Sequence, residues 1–203
     1  MQKVGIVTRL RNYRLPEGND SDPTILEAAL ATSAAPTYFS KVTIEGSTYI
    51  DGALGANNPA EQLEDEANDI FCGGSNRLTQ HVACFLSLGT GRMDFNSVSD
   101  RGILRLAEAL KKEATETEKT HQKVSRRWFT PGQESRYFRF NVEQGMNEVK
   151  LAEFDKQDAI QAGTFAYLQR HDVKDRLQHC VEPLRTKQRK WISEYILSEL
   201  LTD

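Results

Sequence analysis

The eight residues His81–Leu88, HVACFLSL, form a continuous apolar run that ends on the glycine turn Gly89-Thr90-Gly91. A strand with one wet face alternates apolar and polar side chains. A run of this length with no alternation, bounded by glycine, instead suits a strand buried on both faces of a parallel sheet. That points to an α/β chain. The run is far shorter than the ~20 residues a membrane span needs, and no basic, apolar, small-residue opening marks a signal peptide. Cys72, Cys84 and Cys180 are odd in number and lack CxxC spacing, so neither a disulfide framework nor a zinc site is expected. The same usage reads as intracellular, in the cytoplasm.

The elements around this strand are legible in outline. Met1–Leu10 reads as a short strand through Val4, Ile6, Val7 and Leu10. Asp22 as cap and Pro23 at the first helical position predict a helix over Thr24–Ala35, stopped by Pro36. Its alanines suit close approach to a neighbour, or simply a plain alanine-rich helix. Val42–Ile44 and Tyr49–Ile50 flank Glu45-Gly46 and predict a β-hairpin. Asn58, Pro59 and Glu61 form a capping-box-like start for a helix running to about Phe71.

Past Arg101 the pattern changes. A helix is expected from Ile103 toward Trp128, then a strand over Arg136–Val142. Helices follow over Asp155–Arg170 and Val173–Leu201, the last interrupted at Pro183. The element pattern thus divides the chain near Arg101 into two halves of different character.

Charge is uneven along the 203 residues. Residues 1–100 hold 7 Lys and Arg against 13 Asp and Glu, and residues 101–203 hold 19 against 16. Neither half has the basic excess of a nucleic-acid binder, so no nucleic-acid partner is expected. Arg185, Lys187, Arg189 and Lys190 precede Trp191, Ile192, Tyr195, Ile196 and Leu200. Such a segment can rest on an anionic lipid surface as a peripheral contact, or pack on its own core with its charges in water. The four histidines show no metal-ligand spacing.

The block that can carry chemistry is Asp51-Gly52-Ala53. An Asp where a strand gives way to a glycine turn is held by the sheet, and the glycine removes a side chain that would block a ligand. Such an Asp serves as general base when a hydroxyl or water lies within about 3 Å. An Asp that only stabilises its own turn has the same local sequence.

Three ordered blocks resemble the patatin-like phospholipases: ATSAAPTYF (Ala31–Phe39), YIDGALGANNP (Tyr49–Pro59) and LSLGTG (Leu86–Gly91). Arg11-Asn12-Tyr13-Arg14 is similar to the loop before that helix in the family. Tyr137–Tyr167 resembles the region after the core in fungal members. The resemblance covers about residues 1–95 and implies part of a three-layer α/β/α core there, with residues 96–203 as a mostly helical extension with one strand, packed on that core. It also implies a lipid acyl hydrolase with a Ser–Asp dyad that needs no metal or cofactor and acts on acyl esters of phospholipids or glycerolipids. Asp51 matches the dyad's proton acceptor, with Gly52 and Ala53 completing the D-G-[GA] motif. Gly89-Thr90-Gly91 becomes a structural turn near the site.

The chain departs from the family at the nucleophile. No serine lies in GxSxG, and the nearest stretch, Gly73-Gly74-Ser75-Asn76-Arg77, has arginine in place of the last glycine. No glycine-rich oxyanion loop is found either. In the family both precede the Asp block, so the chain reads as the rear half of such a domain. Loss of a serine nucleophile costs roughly 10⁶ in turnover in a related hydrolase class. Loss of one oxyanion donor costs about 10²–10³. The chain alone is therefore expected to be inactive. The alternatives are a non-catalytic interaction module, using residues 101–203 to bind a partner, and an incomplete gene product.

Overall fold

The computed structural model describes residues 6–13, 21–36, 38–75, 78–91, 104–132, 135–146, 149, 153 and 155–185. It is a mixed α/β chain, with helices and two small sheets. Two compact units are present: Met1–Ile70 with Asp94–Val124, and Phe71–Met93 with Ser125–Asp203. Among the described residues no helix is long and apolar enough to cross a membrane.

In the first unit, α1 spans Ile25–Thr32. Its cap is Thr24 rather than Asp22. The Thr24 hydroxyl accepts from the Glu27 N–H while Glu27 reaches back to the Thr24 N–H, a complete capping box. Reciprocal satisfaction of two N–H groups at Thr24 outweighs the Asp-Pro signal just before it. The helix ends at Thr32, three residues short of expectation, with Ser33 donating back to Ala29.

The expected hairpin is present. β1 (Val42–Ile44) pairs antiparallel with β2 (Ser47–Tyr49) across Glu45-Gly46. Both turn residues have positive φ, 48° and 78°, as a two-residue turn matched to strand twist requires. Ala31, Ala34 and Ile44 are each 2% exposed. Within α1 only Ala31 is buried, Ala34 following just past its end, while Ala29, Ile25, Leu26 and Leu30 are exposed.

A one-turn helix, α2 (Ala53–Ala56), follows the hairpin and was not expected from the sequence. Then α3 runs over Ala60–Cys72, starting where Asn58-Pro59 predicts. The expected strand at Met1–Leu10 is absent over its described part, since residues 6–10 lie outside regular structure. A strand needs a ladder partner, and among the described residues only two pairs of strands exist.

In the second unit, Leu78–His81 is a short helix, α4, and only Phe85–Leu88 is strand, β3. The long helix α5 spans Leu104–Arg127 and belongs to the first unit up to Val124. β4 (Tyr137–Phe140) pairs with β3 in parallel, Phe85 opposite Tyr137 and Leu88 opposite Phe140. The parallel pairing is as expected, but burial of β3 on both faces is not. Phe85 and Ser87 are buried, whereas Leu86 and Leu88 are 43% and 71% exposed.

The reason is coverage. α6 (Gln157–Gln169) and α7 (His171–Arg185) supply Tyr167, Val173 and Cys180 to a core with Phe138, Phe140 and Val142. Leu86 and Leu88 lie on the same sheet face, one strand further out. On the opposite face Phe85 meets Trp128 and Tyr137 edge-on, at centroid distances of 5.1 Å each. α7 continues through Pro183 to Arg185 rather than breaking there. The basic and apolar segment after Arg185 lies outside the described residues.

Candidate functional site

Asp51 sits two residues beyond β2 and two before α2. Its backbone N–H donates to the Ala34 carbonyl at 3.0 Å, just past the end of α1. Its carboxylate Oδ1 accepts from the Ala53 N–H at 2.8 Å. That i→i+2 bond is an Asx turn, and it also serves one of the N–H groups that an α-helix start leaves open. The backbone and one carboxylate oxygen are thereby fixed together. The side chain is half-buried.

Gly52 follows with φ −63° and ψ −7°, ordinary right-handed values. A Cβ built there meets nothing within 4 Å. The fold of the described residues therefore does not require glycine at this position, and the space beside Asp51 is open.

Asn57 and Asn58 bind α5. Asn57 Nδ2 donates to Thr117 Oγ1 at 3.1 Å, and Asn58 Nδ2 donates to the Thr117 carbonyl at 3.2 Å. Asn58 Oδ1 accepts from Ala60 at 3.4 Å, so the buried Asn58 also holds the start of α3 as expected. Thr120 and Lys123 of α5 both approach Glu61, at 3.5 and 3.6 Å.

Sequence reasoning missed Glu66. This buried residue of α3 receives Arg9 Nη1 at 2.8 Å, Arg11 Nη2 at 2.7 Å and Tyr13 Oη at 2.9 Å, and Arg11 Nε closes the cluster. The bond from Arg11 leads in pulling its carboxyl from 4.5 down to about 2. Burial, and then the hydrogen bond to Glu66, push the Tyr13 phenol up. The signal was present as Arg9, Arg11 and Tyr13 at every second position. In extended chain such residues project to one side.

Gly89-Thr90-Gly91 belongs to the second unit. Gly89 N–H continues the ladder to the Phe140 carbonyl at 2.8 Å, and Gly91 N–H donates to Asn141 Oδ1 at 2.8 Å. A Cβ on Gly89 would lie 2.2 Å from Asn141 Oδ1 and 2.9 Å from Arg139 Nη2. A methyl here would force the Asn141 or Arg139 side chain to shift. Arg139 itself is buried and donates to Ser87 Oγ at 2.7 Å.

The bond from Asp51 to Ala34 ties together two of the three blocks singled out in the sequence. A family model described as patatin-like phospholipase matches residues 3–64, which contain both. The chain carries a patatin-like phospholipase segment. Similar curated proteins are the calcium-independent phospholipase A2-gamma of Rattus norvegicus, 28% identical over 159 residues, and of Mus musculus, 30% identical over 153 residues. That of Homo sapiens is 29% identical over 153 residues. Each alignment covers 73% of this chain and 18% of the relative. The chain thus spans under a fifth of the length of the relatives it matches. Within the patatin-like segment Asp51 is anchored from both sides, by Ala34 before it and Ala53 after it.

Proposed function

We propose that this chain is part of a patatin-like lipid acyl hydrolase, the portion that follows the nucleophile in the domain, and that Asp51 is the proton acceptor of its Ser–Asp dyad. The observation that carries this reading is the fixed carboxylate of Asp51, with Oδ1 held by the Ala53 N–H beside a glycine that the local fold does not itself need. The serine lies outside this chain. Its hydroxyl attacks the ester carbonyl of a phospholipid or glycerolipid while its proton passes to Asp51 Oδ2. The proton then goes to the departing alcohol. Water repeats the sequence in reverse to release the fatty acid, with Asp51 again as base.

Pinning Oδ1 to the backbone sets the direction in which Oδ2 points before substrate arrives. Rigid placement of this kind removes reorganisation from the reaction step. Ala53 supplies that anchor, and Gly52 leaves room for the serine side and the ester. Residues 1–95 are the portion assigned to the patatin-like domain, with 96–203 as its helical extension. Contact with a lipid surface follows from the substrate class.

The test is hydrolysis of a phospholipid by a longer polypeptide that joins an upstream GxSxG-bearing region to this chain. Asp51→Asn keeps the Asx turn, because the amide oxygen still accepts from Ala53, but cannot take a proton. It should lower kcat by about 10²–10⁴, or roughly 3–5 kcal/mol of transition-state stabilisation. The 203-residue chain alone should show none of this activity. Folded, active enzyme that is indifferent to Asp51→Asn would remove Asp51 from the dyad. Folded enzyme with no esterase activity at all would favour an interaction module instead.

A further inference from the structure

The core of the second unit holds two thiols in contact. Cys84 Sγ and Cys180 Sγ lie 3.6 Å apart, although the residues are 96 positions apart in the chain. Both are free cysteines. Cys84 directly precedes β3 and Cys180 lies on α7, where it joins Phe138, Phe140, Val142, Tyr167 and Val173 in one cluster. Buried cysteine is commonly a small apolar filler. Here the two sulfurs instead face each other from different elements, and their exposure differs. Cys84 is half-buried, while Cys180 is 2% exposed.

We propose that Cys84 and Cys180 form an oxidative modification site, a dithiol that a hydroperoxide converts to an intramolecular disulfide joining the start of β3 to α7. Cys84 reacts first, being the more exposed of the two residues. Its sulfur attacks the peroxide O–O bond, taking one oxygen to become a sulfenic acid while the other leaves as alcohol or water. Cys180 sulfur then attacks the sulfenic sulfur, the S–O bond breaks, and the oxygen departs as water. Two thiols lose two electrons and two protons in total, and one hydroperoxide is reduced.

Geometry favours the second step over further oxidation. A disulfide bond is about 2.05 Å long, so the sulfurs need to close by roughly 1.5 Å, shared between two side chains. A resolving thiol already in contact intercepts the sulfenic acid before more oxidant arrives. The pair is slow to start, however. Burial, together with the adjacent sulfur of Cys180, pushes the Cys84 thiol up to about 12, so the reactive thiolate is scarce at neutral pH. The site answers sustained oxidant and ignores traces.

The experiment treats the full chain with hydrogen peroxide and maps its peptides without reduction. The expected product has lost two hydrogens and contains a linked Cys84–Cys180 peptide pair. Its melting temperature should rise by about 5–10 °C, as for a bond closing a long loop in a chain of this size. Dithiothreitol should reverse both changes. Cys180→Ser should abolish the link and leave Cys84 as a trappable sulfenic acid. If that buried variant does not fold, Cys84→Ser at the more exposed position must abolish the link instead. Cys72, at the end of α3, is the internal control. Stable sulfinic acid at Cys84 with no link, or a link through Cys72, would overturn the proposal.

Discussion

Replacing Glu66 with glutamine tests the ionic cluster that fastens residues 9–13 to α3. The substitution keeps the shape and one acceptor oxygen but removes the charge that Arg9, Arg11 and Tyr13 surround. The side chains of Glu66 and Arg11 are 9% and 13% exposed, and that of Arg9 is 26% exposed. A carboxyl whose pKa falls from 4.5 to about 2 is favoured in its ionised form by roughly 3 kcal/mol. Water reaching Arg9 screens part of this, leaving about 2 kcal/mol for the glutamine variant to lose.

The sign with pH follows from the direction of the shift. A carboxyl depressed in the folded chain contributes fully above its unfolded value of 4.5, and the contribution fades as pH falls through about 2. Glu66→Gln should therefore lower the melting temperature by about 4–8 °C at pH 7. The gap from wild type should close between pH 5 and pH 2. Hydrogen exchange over Ala60–Cys72 should report the same loss locally. A variant within about 0.5 kcal/mol of wild type at pH 7, or a gap that does not change below pH 5, would refute the assignment of Glu66 as the charge holding this strap.

Two further pairs of substitutions separate residues that look alike in sequence. Gly89→Ala should destabilise by about 1–3 kcal/mol in thermal unfolding, because the new methyl collides with Asn141 and Arg139. Gly52→Ala should leave the melting temperature within a degree or two and yet reduce ester hydrolysis in the longer polypeptide, since only an incoming group would meet the methyl. Asn58→Ala should cost about 1–2 kcal/mol through the lost bonds to Ala60 and Thr117. Asn57→Ala, exposed and with its bond to the Thr117 hydroxyl, should cost less than about 0.5 kcal/mol by urea denaturation.

What could be read from the sequence was what short-range chemistry decides. Glu45-Gly46 marked the hairpin and Asn58-Pro59 marked the start of α3, because turn and cap preferences act over a few residues. The parallel character of the Phe85–Leu88 strand was also legible, but its extent was not. His81 closes α4 instead of opening the strand, which begins only at Phe85. Burial of Leu86 and Leu88 could not be judged, because coverage depends on where α6 and α7 come to lie, some 70–100 residues later. At the candidate site the motif identified Asp51, yet the Ala34 bond that positions it joins residues 17 apart. Glu66 and the Cys84–Cys180 contact were hidden for the same reason, at separations of 55 and 96.

The two compact units are interleaved along the chain, which passes from one to the other after Ile70, Met93 and Val124. During synthesis the ribosome therefore delivers the first unit's last segment only after the second unit's first segment has already emerged. Residues 71–93 carry β3, whose ladder partner β4 begins 44 positions later than Met93, at Tyr137. For that interval β3 lacks its one partner strand among the described residues. A nascent chain in this condition is a natural client for chaperones that hold extended apolar segments, and a poor candidate for dissection at any single cut.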